Sequence, residues 1–166
     1  MTDDFASLYA FDRWANDKML DACRKLSPEQ YAAEPVPGWA PIRNTVYHIA
    51  VVTDGWLRGL VNDPDQSFPA EAEVATPDAA AHILERAYRN VTALLPTLTP
   101  ELLATPRTFS RRGRTAVLPP WVVLRHVVNH ATYHRGQVAS KLKRFGVQQP
   151  ETDFVYWAFE QIPQKA

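Results

Sequence analysis

The run Arg125-His126-Val127-Val128-Asn129-His130-Ala131-Thr132-Tyr133-His134-Arg135-Gly136-Gln137 sets three histidines one helical turn apart. A helix advances about 100° per residue, so side chains four apart differ by only about 40° and stack on nearly one face. Two imidazoles so placed can share one metal ion. The apolar residues around the run keep the same period. With Trp121 set to zero on a helical wheel, Val123, Leu124, Val127, Ala131, Val138, Leu142 and Phe145 gather near about 260°. The stretch therefore predicts a long helix with one buried face, opening near Pro120 and ending at Phe145-Gly146. Lys141, Lys143 and Arg144 in its last turn suit the negative end of the helix, and Gly146 can take a left-handed cap.

The wheel also ranks the histidines. His134 falls at about 220°, His130 at about 180° and His126 at about 140°. His130 and His134 are the inward-looking pair, and imidazoles at this spacing suit zinc and its neighbours. His126 lies at the boundary, either as a solvated side chain or as a substrate contact. Ala131 stands where the zinc-protease pattern His-Glu-x-x-His requires Glu, so that chemistry is excluded. Gln137, one turn beyond His134, is either a hydrogen-bond partner behind a metal ligand or an exposed helical residue.

Three more long segments carry helical periodicity. The first spans about Asp3 to Leu26, with Phe5, Leu8, Phe11, Ala15, Met19, Ala22 and Leu26 three or four apart. The second starts after Pro41 and runs to about Leu60, with Ile42, Val46, Ile49, Trp56, Leu57 and Leu60 as its stripe. The third opens at Thr76-Pro77-Asp78, a cap, a proline and an acid suited to a helix start, and continues to about Leu95. Ser27-Pro28-Glu29-Gln30 announces a short helical turn, Thr99-Pro100-Glu101 offers another, and Asp153 to Gln161 reads as a short amphipathic helix. Arg107 to Val117 is an extended loop or a short hairpin. Four helices of about this length predict an all-α four-helix bundle, with connectors after the second and third helices long enough for a crossover.

The bulk numbers narrow the function classes. At 166 residues the chain suits a single domain, 1–166, with a real core. Eighteen basic residues balance eighteen acidic ones, which gives no footprint for nucleic acid or for an anionic membrane surface. The acidic opening Met1-Thr2-Asp3-Asp4-Phe5 does not read as a secretory signal, and no apolar run approaches the roughly 18 residues of a membrane span. The single cysteine, Cys23, suits a reducing compartment. A soluble cytoplasmic protein is expected, with no nucleic-acid or membrane partner.

His48 is the fourth histidine of interest. It lies about 110° to 120° from the centre of the second helix's stripe, on the flank that carries Val52, Gly55 and Gly59. Missing side chains beside it could leave a cleft, or could serve close packing. His82, alone on the third helix, reads as surface. Trp39, Trp56, Trp121, Tyr133 and Trp157 could line a pocket or serve as core and interface.

Taken together, Tyr9 with Trp14-Ala15-Asn16, Val46-Tyr47-His48-Ile49, His126 to Gln137, and Phe145-Gly146 followed by Pro150-Glu151-Thr152-Asp153-Phe154 resemble the DinB/YfiT-like family of four-helix-bundle metalloenzymes, over nearly the whole chain. The His-x-x-x-His-Arg-Gly-Gln stretch is its specific part. The resemblance implies a divalent metal (Zn, Ni, Fe, Co or Mn) held by one histidine of the second helix and two of the fourth, which are here His48, His130 and His134. It also implies a small-molecule substrate, a homodimer to which Phe154 to Phe159 contribute, and relatives that use low-molecular-weight thiols such as bacillithiol or mycothiol. Three protein ligands leave a coordination position open, as catalytic sites do.

The leading expectation is therefore a transferase that activates a low-molecular-weight thiol for addition to an electrophile. The alternatives are a metal-dependent hydrolase that uses hydroxide at the metal, and a non-catalytic metal-binding dimer. Arg107, Arg111, Arg112 and Arg114 could present guanidinium forks to a carboxylate or form an ordinary solvated loop.

Overall fold

The computed structural model describes residues 2–65, 67–111 and 114–162. Four long helices dominate it: α1 Thr2–Cys23, α3 Ile42–Leu60, α4 Pro77–Leu94 and α6 Pro120–Arg144. Short helices α2 Pro28–Ala32, α5 Pro100–Ala104 and α7 Phe154–Gln161 lie between or after them. The start signals act as their chemistry dictates. Ser27 forms a full capping box with Gln30 ahead of α2, Thr76 accepts from the amide of Ala79 ahead of α4, and Thr99 accepts from that of Leu102 ahead of α5. Arg107–Arg111 and Arg114–Leu118 form strands β1 and β2 of an antiparallel hairpin, which decides between the loop and the hairpin.

The direction of each helix follows from its contacts. In α1 and α6, Tyr9 meets Leu124 and Asp12 and Asn16 meet Arg135, so residue numbers rise together and the two helices are parallel. In α1 and α4, Arg24 meets Asp78 and Arg13 meets Glu85, so these run antiparallel. In α3 and α6, Thr45 meets Lys141 while His48 meets His130, again antiparallel. It follows that α3 and α4, neighbours in the bundle, run the same way.

A parallel pair of neighbours forces its connector to travel back along their length. Residues 61–65 and 67–76 make that return, and side chains of α3 hold them down. Arg58, at the end of α3, donates to the carbonyls of Asp65 and Ser67, and Tyr47 near the start of α3 donates to that of Pro69 at 2.9 Å. This is the crossover of the bundle. The first connector carries α2, and the third carries α5 and the hairpin.

Apolar side chains from all four long helices fill the core, among them Phe5, Met19, Ile49, Leu57, Leu84, Leu124 and Leu142. Among the described residues two buried carboxylates, Asp54 and Asp12, are paired with arginines there. Asp54 takes Arg58 at 2.8 Å and Arg86 at 2.7 Å, while Asp12 takes Arg135 at 2.5 Å and also accepts from Tyr88 at 2.9 Å. Burial raises the Asp12 carboxyl above its ordinary range, and Arg135 opposes that shift. Among the described residues no helix is long and apolar enough to cross a membrane.

Candidate metal centre

The periodicity of α6 turns Val127, Ala131 and Val138 fully inward and leaves His130 and His134 partly buried, facing α3. Arg135, the residue after His134, points the other way and is locked in the core: it donates to Asp12, to Asn16 at 3.1 Å and to Thr132 at 2.7 Å. These bonds fix the rotation of α6 about its own axis. The histidine pair is thereby held against the neighbouring helix.

His48 comes from α3 across that seam. Its Nε2 lies 3.1 Å from Nε2 of His130, and its ring centroid is 4.9 Å from that of His130 and 4.6 Å from that of His134. One ligand nitrogen from each of the three residues falls within 4.8 Å of the others. Two nitrogens bound to one zinc ion at 2.0–2.1 Å and near the tetrahedral angle stand about 3.3 Å apart. The donor set and its spacing therefore fit a divalent ion after a small contraction. His134 is further prepared by Gln137, whose Oε1 lies 2.8 Å from its Nδ1. With Nδ1–H donating to that oxygen, the lone pair of His134 is on Nε2, the nitrogen available to a metal.

The flank position of His48 now has a physical reason. The apolar stripe of a helix aims at the bundle axis, whereas a ligand shared with an adjacent helix must stand beside that stripe, at the seam. The cleft expected beside Gly55 and Gly59 is a different matter. A hollow of about 270 Å³ does lie there, but Phe109 of the hairpin covers it and none of its lining residues is a histidine. A methyl group on Gly59 would stand 3.4 Å from the Phe109 ring, so this glycine serves packing of the hairpin on α3.

The cavity that adjoins the histidines opens on the opposite side of His48. It has a volume of about 530 Å³ and is lined by Trp39, Ala40, Asn44, Thr45, His48, His134, Gln137, Ser140 and Lys141. Lys141 is buried and donates to Thr45 Oγ1 at 2.6 Å, and burial lowers its pKa. A place at the negative end of α6 does not by itself account for this position of Lys141. A usable signal was present in the sequence: residue 141 follows His134 by two turns and falls within about 20° of it on the wheel, while Thr45 precedes His48 by one turn.

The remaining candidates separate cleanly. His126 is exposed, with its ring 5.6 Å from Trp56 and 5.5 Å from His130. Tyr133 is exposed, its ring 5.0 Å from that of His134, and Trp121 is exposed as well. Trp157 packs with Phe11 and Phe154, and His82 is on the surface. Arg107 donates to the carbonyl of Leu60 and to Asn62 Oδ1, which ties the hairpin to the end of α3. Arg112 and the side chains of Arg111 and Arg114 lie outside the described residues.

A helical bundle whose adjacent antiparallel helices bring three imidazoles to one point defines a class of bundle proteins with a candidate metal site at a helix seam. Residues 1–165 match the DinB family, and the chain belongs to that family. It is 24% identical to Protein DinB of Bacillus subtilis (strain 168) over 175 aligned residues, which cover 98% of this chain and 99% of that relative. Among solved structures it is similar to a DinB-like protein from Bacillus cereus ATCC 10987, with a TM-score of 0.64 and 20% identity over 89% of this chain and 94% of the other. It is also similar to YfiT from Bacillus subtilis, with a TM-score of 0.66 and 17% identity over 89% and 91%. YfiT is described as a "probable metal-dependent hydrolase" with an unusual four-helix bundle topology. These structural likenesses establish the fold.

Proposed function

We propose that this chain is a divalent-metal-dependent enzyme acting on a small molecule, with His48, His130 and His134 as the metal ligands. The observation that carries the reading is the convergence of three imidazole nitrogens within 4.8 Å at the wall of a cavity of about 530 Å³. A bound divalent cation supplies Lewis acidity, which lowers the pKa of a coordinating thiol or water toward neutrality. Gln137 orients His134, and the Asp12–Arg135 pair holds α6 in register.

The reading extends to transfer of an external low-molecular-weight thiol. Cys23 is buried and its thiol is pushed up to about 12 by burial, so the chain's own sulfur is no nucleophile. In the reaction, the thiol yields its proton to solvent, a carbon–sulfur bond forms at the electrophile, and the electron pair displaced from that carbon stays on the acceptor and takes up a proton from solvent. A hydrolase that uses water in place of the thiol is the second reading, favoured by the description of YfiT. Exposed Phe154, Tyr156 and Phe159 of α7 support a homodimer as the working form.

Elemental analysis of protein purified without a metal-affinity tag tests the site. His48→Ala, His130→Ala and His134→Ala should each lose the metal, and full metal content in His48→Ala would disprove a three-histidine centre. A thiol-consumption assay with a generic electrophile should require both metal and added thiol. Turnover of an ester without thiol would instead favour the hydrolase.

A further inference from the structure

Three cations are buried among the described residues: Arg58, Arg135 and Lys141. Arg58 has the buried carboxylate of Asp54 at 2.8 Å, and Arg135 has that of Asp12 at 2.5 Å. Lys141, only 6% exposed, has no carboxylate partner among the described residues and spends one of its three donors on the hydroxyl of Thr45. A buried charge is costly unless an opposite charge pairs with it. Within this fold, the two arginines are compensated internally and the lysine is not.

Lys141 and Thr45 both line the cavity that reaches His48 and His134. We propose that Lys141, steadied by Thr45, is the anion-recognition point of this cavity, and that the substrate held at the histidine site carries a carboxylate. Among the described residues Lys141 is the one lysine or arginine of the lining, and its single buried ammonium is matched by the single charge of a carboxylate. Asn44 lines the same wall with its buried Oδ1 unpartnered, so its amide is free to bond the carboxylate through Nδ2 or a neighbouring donor of the ligand through Oδ1. Thr45 precedes His48 by three residues, roughly 4.5 Å along the helix axis. A ligand with a short carbon chain spans that gap.

The proposal deepens the metal-site reading and takes from it the place where a thiol binds, and the experiment separates the two. Cobalt-loaded protein is titrated with 4-mercaptobutyrate and with its neutral counterpart 4-mercaptobutanol, following the thiolate-to-cobalt absorption. Wild type should bind the charged probe at least about tenfold more tightly, as a hydrogen bond to a charged group warrants. Lys141→Met should abolish the preference while keeping the cobalt spectrum, Lys141→Arg should keep most of it, and Thr45→Val should weaken it. Equal affinities for the two probes in wild type, or an undiminished preference in a folded Lys141→Met protein, overturn the proposal. If cobalt fails to bind wild type, the metal reading falls. Butyrate against butanol, titrated into metal-free protein by NMR, then decides the subsite by the same charge preference and its loss in Lys141→Met.

Discussion

Replacing Arg135 by Met should cost this protein a large share of its stability. Arg135 is 3% exposed and Asp12 is fully buried, and the two meet at 2.5 Å. The substitution keeps an unbranched apolar stem and removes the guanidinium, leaving Asp12 with hydrogen bonds from Asn16 at 3.2 Å and Tyr88 at 2.9 Å and no counter-charge from α6. Removing one partner of such a pair costs about 3–5 kcal/mol. For a chain of this size each kcal/mol shifts Tm by about 2–4 °C, so Tm should fall by roughly 6–20 °C.

Thermal unfolding followed by circular dichroism, at pH 7 and with chelator present, measures this. A second variant, Asp12→Asn with Arg135→Met, should recover at least half the loss, because it removes the stranded charge. The pH dependence has a definite sign. Without Arg135, burial acts unopposed on Asp12 and raises its folded-state pKa further above the unfolded value of about 3.9. The folded variant then binds a proton more tightly than the unfolded chain. Its deficit against wild type should narrow as pH falls from 7 toward 5. A Tm loss below about 4 °C, or a deficit that widens on acidification, would refute the assignment of Asp12–Arg135 as the lock on α6.

Two further outcomes follow from the site. Gln137→Leu should weaken metal binding by about 10–100-fold while leaving stoichiometry intact, since it removes the acceptor at 2.8 Å behind His134; competition with a chromophoric chelator reads this, and unchanged affinity would return Gln137 to the surface. Cys23, buried and with its thiol pushed up to about 12, should react with a disulfide reagent only after denaturant is added, and prompt labelling of the native protein would contradict its placement.

Where the sequence was most legible, one-dimensional periodicity carried the information. Ile42 and Leu60 bound the second long helix as expected because Pro41 and the Asn62-Asp63-Pro64 loop leave the backbone little choice. The first helix, expected to reach Leu26, ends at Cys23, since apolar residues continue the stripe through the turn that follows. Arg107 to Val117 reads equally as loop or hairpin, because a five-residue strand such as Arg107–Arg111 carries no strong apolar alternation.

Local sequence is enough for the helices, their caps and the His130–His134 pair, all of which depend on neighbours within a turn or two along one chain. What lies across the seam comes from packing instead: the flank of α3 bearing His48 faces α6, Arg135 is spent on Asp12, and Lys141 turns into the cavity toward Thr45. Such pairings join residues about 80 to 120 positions apart. They arise from the rotation and direction of whole helices, set by a connector that doubles back along α3, and no local period encodes that.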